Sequence, residues 1–123
     1  MHQPPYYTNP IGSSSALQEI LVPAFDDAGI DVVFSGHDHA YARTKPMIAG
    51  QVDDKGTEYY ICGSTGEKSY DIVFNDSFNF DVTSDNFNAT YLTAKATADE
   101  LLITSYDYAI YDDGQTEVRT IDT

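Results

Sequence analysis

The chain has 123 residues, enough for one domain or part of one, and 41% of them are apolar, enough to build a core. Twenty acidic residues against six basic ones give a formal charge of −14. That balance excludes nucleic acid and anionic membrane as default partners, because both are bound through Lys and Arg.

A single cysteine, Cys62, excludes an internal disulfide and reads as a small core residue. No stretch is long and apolar enough to span a bilayer. The first residues lack the pattern of a secretory leader and read as a start within a longer protein.

Residues 1–10 are rich in Pro and Tyr, and Pro4, Pro5 and Pro10 forbid a helix there. Residues 12–15 offer turn and N-cap chemistry. A helix is predicted over residues 14–28, where Leu17, Ile20, Leu21, Ala24 and Phe25 recur at helical spacing and Gly29 supplies the stop. Pro23 lies inside it and predicts a kink or a split. Residues 30–34 form a short β-branched apolar run bounded by Gly36, which predicts a strand buried on both faces.

Beyond residue 45 the pattern turns to antiparallel β. Residues 47–52 and 58–62 flank the turn Asp53-Asp54-Lys55-Gly56 and read as a hairpin. Residues 63–66 read as a loop, 70–74 as a short strand, and the polar stretch 75–88 as a long surface loop. Residues 91–96 and 101–108 are predicted to pair across 97–100. A turn at Asp112-Asp113-Gly114 then leads to a last strand over 118–121.

The chemistry lies in three histidines, His2, His37 and His39. His37-Asp38-His39 follows the predicted buried strand, and the carboxyl end of such a strand is where sites collect. In an extended segment residues two apart share a side, so both imidazoles are expected to face one site while Asp38 points away. Neutral imidazole suits Zn, Fe or Mn. Taken singly, each histidine reads as an ordinary surface or core residue, and the flanking sequence gives the set its meaning. Arg43 reads either as a phosphate-steering group or as a structural ion pair, and Tyr41 either as a pocket wall or as packing beneath the loop.

The segment from Val32 through Gly36-His37-Asp38-His39-Ala40-Tyr41 to Thr44 resembles the Gly-His-x-His segment of purple acid phosphatases and related calcineurin-like phosphoesterases. Ala42 stands where many members carry Glu. Met1-His2-Gln3-Pro4-Pro5-Tyr6 is similar to the family's earlier metal-binding histidine segment, and Tyr59 to Ser64 is similar to a strand and turn that follow.

The resemblance implies that residues 1–123 are the C-terminal portion of a metallophosphoesterase catalytic domain. The fold class implied is α/β, an α+β-like half of a four-layer α/β/β/α sandwich. It implies that His2 and His37 bind one metal ion and His39 the other of a pair of Fe, Zn or Mn ions in the complete enzyme, with Tyr41 and Arg43 as substrate-binding candidates. The implied substrate is a phosphate ester, and the implied location is extracellular. The upstream Asp, Asn and bridging carboxylate segments of the family do not occur in this sequence. The chain alone is therefore expected to bind one metal ion or none, to be inactive, and to self-associate or require its N-terminal half. A non-catalytic β-rich binding or interaction module that binds metal incidentally is the alternative.

Overall fold

The computed structural model describes residues 1–9, 15–66, 68–73, 78–84 and 89–123. Among them one helix, α1 (Ser15–Ala28), precedes nine strands. These are β1 (Val32–Ser35), β2 (Tyr41–Thr44), β3 (Met47–Ile48), β4 (Gln51–Val52), β5 (Glu58–Cys62), β6 (Phe80–Ser84), β7 (Ala89–Ala96), β8 (Leu101–Ile110) and β9 (Thr116–Asp122).

The helix stops as its sequence dictates. Gly29 turns left-handed at φ +61°. The Gly29 N–H donates to the Asp26 carbonyl and the Ile30 N–H to that of Phe25, both at 3.1 Å, which is the Schellman closure. The helix runs unbroken through Pro23, which lies on its exposed side. The inward stripe is narrower than the spacing predicts: Val22 is buried, Leu17, Leu21 and Phe25 are half-buried, and Ile20 is 69% exposed. Ile20 sits roughly 200° round the helix from Val22, so one docked face cannot cover both.

A four-stranded mixed sheet lies beneath the helix in the order β1-β5-β2-β6, and a three-stranded antiparallel sheet, β7-β8-β9, lies on its far side. Alternation along the strands divides the core in two. Val33 and Tyr59 face the helix and pack with Val22, Met47, Phe78 and Tyr6. Tyr41 and Tyr60 face the second sheet and pack with Ile103, Leu92 and Ile121. The architecture is thus helix on sheet on sheet, an α+β arrangement.

Several expectations need correction. The strand after α1 starts at Val32, because Ile30 is used by the helix cap and Asp31 accepts from the Glu58 N–H. It is an edge strand among the described residues, and Val32 and Phe34 are only half-buried. Residues 47–52 fold back on themselves as the ribbon β3–β4, and β5 leaves them to run parallel to β1 and antiparallel to β2. Tyr59, Tyr60 and Ile61 are all buried, so β5 needs covered faces and two neighbours, which a lone hairpin cannot supply. Only the Met47–Thr57 bridge keeps the expected pairing. Gly56 permits that approach, since a Cβ there would lie 2.2 Å from the Met47 carbonyl carbon.

The polar stretch 75–88 contains β6, paired with β2, and β2 itself lies where no strand was expected. A bulge at Asp81 breaks their register and turns Val82 toward the second sheet and Phe80 toward the helix. Residues 70–73 are not a strand, and Phe74 lies outside the described residues. The C-terminal sheet forms as expected, with β7 and β8 paired through eight residues and β9 added along β8.

Candidate metal centre

The N-terminal segment is docked across the carboxyl end of β1. The Met1 amino group donates to the Phe34 carbonyl at 2.8 Å, and the Gly36 N–H donates to the His2 carbonyl at 3.0 Å. Downstream, Gln18 Nε2 holds the Pro5 carbonyl at 2.7 Å. The Tyr6 ring is buried edge-on against Tyr59, with centroids 4.8 Å apart. His2 is therefore delivered by an ordered segment, although Pro4 and Pro5 bar a helix there.

Asp38 ties this segment to the histidine turn. Its carboxylate is 2% exposed and accepts from the Thr8 N–H at 2.6 Å, the Thr8 hydroxyl at 3.0 Å and the Asn9 N–H at 3.4 Å. Its role is to bind two chain segments together. Nothing in the sequence singled it out beyond its position between two histidines.

The turn itself is not extended, which corrects the expected two-residue periodicity. His37 has φ +71° and His39 φ +50°, both left-handed. The Asp38 N–H donates to the Gly36 carbonyl at 2.9 Å, closing a three-residue turn around His37. A positive φ at the centre of such a turn marks the rare, strained γ form. Left-handed backbone costs a non-glycine residue about 1–2 kcal/mol, so these two histidines sit where the chain resists placing them.

The turn brings His37 to His2. Nδ1 of His37 lies 3.1 Å from Nε2 of His2, with the rings edge to face at 5.0 Å between centroids. Two facing lone pairs repel, so that spacing requires a shared proton or a cation between the nitrogens. At a metal–nitrogen length of about 2.0–2.1 Å, a 3.1 Å pair corresponds to an angle of roughly 100° at the ion, within the range that transition metals accept. The spacing alone suits one metal ion as well as it suits an N–H···N hydrogen bond.

His39 stands apart from that pair in its bonding. Its Nδ1 lies 3.2 Å from the Lys68 carbonyl, and its ring lies 4.9 Å from that of Tyr70. A carbonyl can only accept, so Nδ1 is the donor here, and in the neutral ring that leaves the Nε2 lone pair for a ligand. Lys68 was not foreseen, because the partner is its main-chain oxygen and carries no residue signal. Among the described residues no three His, Cys, Asp or Glu side chains converge on one point, so the chain offers a pair of imidazoles and a third beside it.

Tyr41 and Arg43 face the interior between the sheets. The Tyr41 hydroxyl, on a side chain 1% exposed, donates to Asp122 at 2.7 Å and accepts from Ser105 at 2.9 Å. Arg43 grips Asp122 through Nε at 2.7 Å and Nη2 at 3.2 Å, and also pairs with Asp81 at 3.1 Å and Glu58 at 3.6 Å. Burial pushes the Asp122 carboxyl up, but the bonds from Arg43 and Tyr41 outweigh it and hold the group below its ordinary value. The hydrogen bond to Asp122 raises Arg43 further, and burial raises the Tyr41 phenol far above its ordinary range. The structural ion pair is the role for which Arg43 has partners in hand.

No family model matches the sequence. Among curated proteins the chain is similar to purple acid phosphatase 21 of Arabidopsis thaliana, 36% identical over 70 residues, or 55% of this chain and 16% of that protein. It is 34% identical to purple acid phosphatase 22 of the same plant over 70 residues, with the same coverage, and 38% identical to purple acid phosphatase 18 over 48 residues. The chain thus spans a minor part of the length of the curated relatives it matches. Among solved structures it is similar to GAP50, the anchor in the inner membrane complex of Plasmodium, with a TM-score of 0.50 and 18% identity, covering 98% of this chain and 34% of that one. The sequence similarities support a metallophosphoesterase-related origin and point to a hydrolase family, and the structural likeness is one of fold. No helix among the described residues is long and apolar enough to cross a membrane.

Proposed function

We propose that this chain is the C-terminal portion of a metallophosphoesterase catalytic domain, of the purple acid phosphatase type, that hydrolyses phosphate esters at a two-metal centre. The observation that carries the reading is the His2–His37 nitrogen pair at 3.1 Å, held on a strained turn at the carboxyl end of β1. His2 and His37 hold one ion, and His39, with its tautomer set by the Lys68 carbonyl, offers Nε2 to a second. Metal ions held there supply charge stabilisation at the phosphoryl oxygens and a water acidified to act near neutral pH.

The chain's own residues orient that chemistry. Asp38 fixes the distance between the two histidine segments. Tyr41 and Arg43, the substrate-binding candidates, serve as the support beneath the turn. The carboxylate and amide ligands come from an N-terminal half, which completes the four-layer sandwich and makes the site competent. The relatives' family and the acidic surface together support an extracellular setting.

Calorimetric titration with Zn²⁺ tests the reading. The wild-type chain binds one equivalent, and His37→Ala and His2→Ala each weaken binding about tenfold or more. The chain alone shows no metal-dependent turnover of an aryl phosphate. Absence of Zn²⁺ binding by the wild type, or binding indifferent to both substitutions, overturns the reading in favour of a β-rich interaction module.

A further inference from the structure

A phosphate ester site needs positive charge, and this chain has only six Lys and Arg residues. Arg43 is occupied by Asp122, Asp81 and Glu58, and Arg119 by Asp107, which it binds at 2.8 Å. Lys45 follows β2 and Lys55 lies in the turn before β5, so the strand register puts both at the opposite end of the sheet from the histidine turn. Lys95 pairs with Leu102, five residues along β7 from Thr90, whose N–H binds Ser64 near the carboxyl end of β5.

Lys68 is differently placed. Its carbonyl lies 3.2 Å from His39 Nδ1, and two residues later the Tyr70 N–H donates to the His39 carbonyl at 3.3 Å. The short segment from Lys68 to Tyr70 is therefore laid against His39 by its main chain at both ends. The Tyr70 ring then serves as a plate, with the His39 imidazole 4.9 Å from its centroid and the Lys68 ammonium 5.1 Å from it. No carboxylate among the described residues forms an ion pair with Lys68. An ammonium kept beside the histidine turn, with no carboxylate of the described residues paired to it, is placed to meet an anion, whereas the guanidinium groups of Arg43 and Arg119 are engaged.

We propose that Lys68 is a phosphate-positioning residue of this site, binding phosphoryl oxygens while Tyr70 supports its side chain. This rests on the phosphoesterase reading above. Its chemistry is that of a point charge: three rotatable donors that follow an anion. Substituting the side chain leaves the carbonyl that orients His39 in place, so the histidine geometry and the Lys68 role are separable.

Orthophosphate binding by the intact chain, followed by calorimetry at fixed low ionic strength with and without Zn²⁺, tests this. Lys68→Gln weakens phosphate binding about tenfold, as expected for one charge-assisted hydrogen bond. Lys68→Arg keeps most of the affinity, Lys55→Gln keeps all of it, and the melting temperature is the same in all three variants. Equal phosphate affinity in wild type and Lys68→Gln, or a wild type that binds no phosphate in either condition, overturns the proposal. The Zn²⁺ isotherm reports separately on the phosphoesterase reading. If His37→Ala leaves Zn²⁺ binding intact while Lys68→Gln still loosens phosphate, the metal reading falls and the anion site stands.

Discussion

His39 and Arg43 lie four positions apart in the chain, yet the two belong to opposite kinds of environment. Around Arg43, Tyr41, Asp122 and Ser105 every charge is answered: a carboxylate meets a guanidinium, a phenol and, through that phenol, a serine hydroxyl. Around His37 and His39 the backbone is held left-handed, two imidazole nitrogens face each other at 3.1 Å, and the side chains are partly open to solvent. The saturated region serves the joining of two sheets. The strained one is where the ligand site is proposed, since strain of this kind persists only where the surrounding structure over-determines it.

The sharpest way to break the contrast is to remove the saturated side. Asp122→Ala strips the carboxylate from Arg43 and Tyr41 and leaves a mostly buried guanidinium with two weaker partners. The expected loss is about 3 kcal/mol in a urea melt, near the low end for a broken buried pair because Asp81 and Glu58 remain. Gly63→Ala follows. Gly63 has φ +80°, and a Cβ there would fall 1.6 Å from Thr90 Oγ1, the atom that receives the Ser64 N–H. A loss of about 2–3 kcal/mol is expected, combining overpacking with left-handed strain. Removing the hydroxyl as well, in Gly63→Ala with Thr90→Ala, relieves the 1.6 Å clash but leaves the Cβ at residue 90 only 2.8 Å away and the Ser64 N–H without its acceptor, so only part of the loss returns.

Acid should dissolve the same network. Asp122 has its folded pKa lowered, so its contribution is fully present above the ordinary aspartate value and is lost as pH falls through the depressed folded value. Unfolding free energy measured from pH 6 downward should fall below about pH 4, and Asp122→Asn should flatten that part of the curve. A wild-type profile that is unchanged by the substitution would sever the network from acid stability.

On the histidine side the effects are smaller and split stability from binding. Asp38→Ala deletes three accepted hydrogen bonds at a buried position and should cost about 2 kcal/mol while weakening Zn²⁺ binding, although Asp38 is no ligand. His37→Gly should do the reverse for the fold. Relief of the left-handed φ outweighs the added entropy of glycine, so stability rises by roughly 0.5–1 kcal/mol while metal affinity falls. Paired thermal melts and Zn²⁺ isotherms read both signs at once.

What the residues revealed in advance follows the same division. The Gly29 stop, the β7–β8 pairing and the last strand are local events, governed by a glycine or by a turn between two β-rich runs. The strand β2 escaped because Tyr-Ala-Arg-Thr lacks alternation, and β6 because its short Phe-Asp-Val-Thr alternation is set within a stretch rich in Asp, Asn and Ser. Their pairing is enforced instead by the Arg43 contacts and by β5, which needs a partner on each edge. The histidines were legible as residue types and as a resemblance. Their left-handed conformation was not, because it depends on Asp38 meeting Thr8 thirty positions away.

That single carboxylate has a thermodynamic consequence. Because Asp38 joins the Tyr6–Asn9 stretch to the turn that bears His37, the two halves of the nitrogen pair are assembled during folding and need no further ordering when a ligand arrives. By the reciprocity of linked equilibria, occupancy of the pair must tighten the N-terminal stretch in return. An ion that touches only His2 and His37 should therefore slow amide hydrogen exchange at Thr8 and Asn9 and raise the melting point in step with its free concentration.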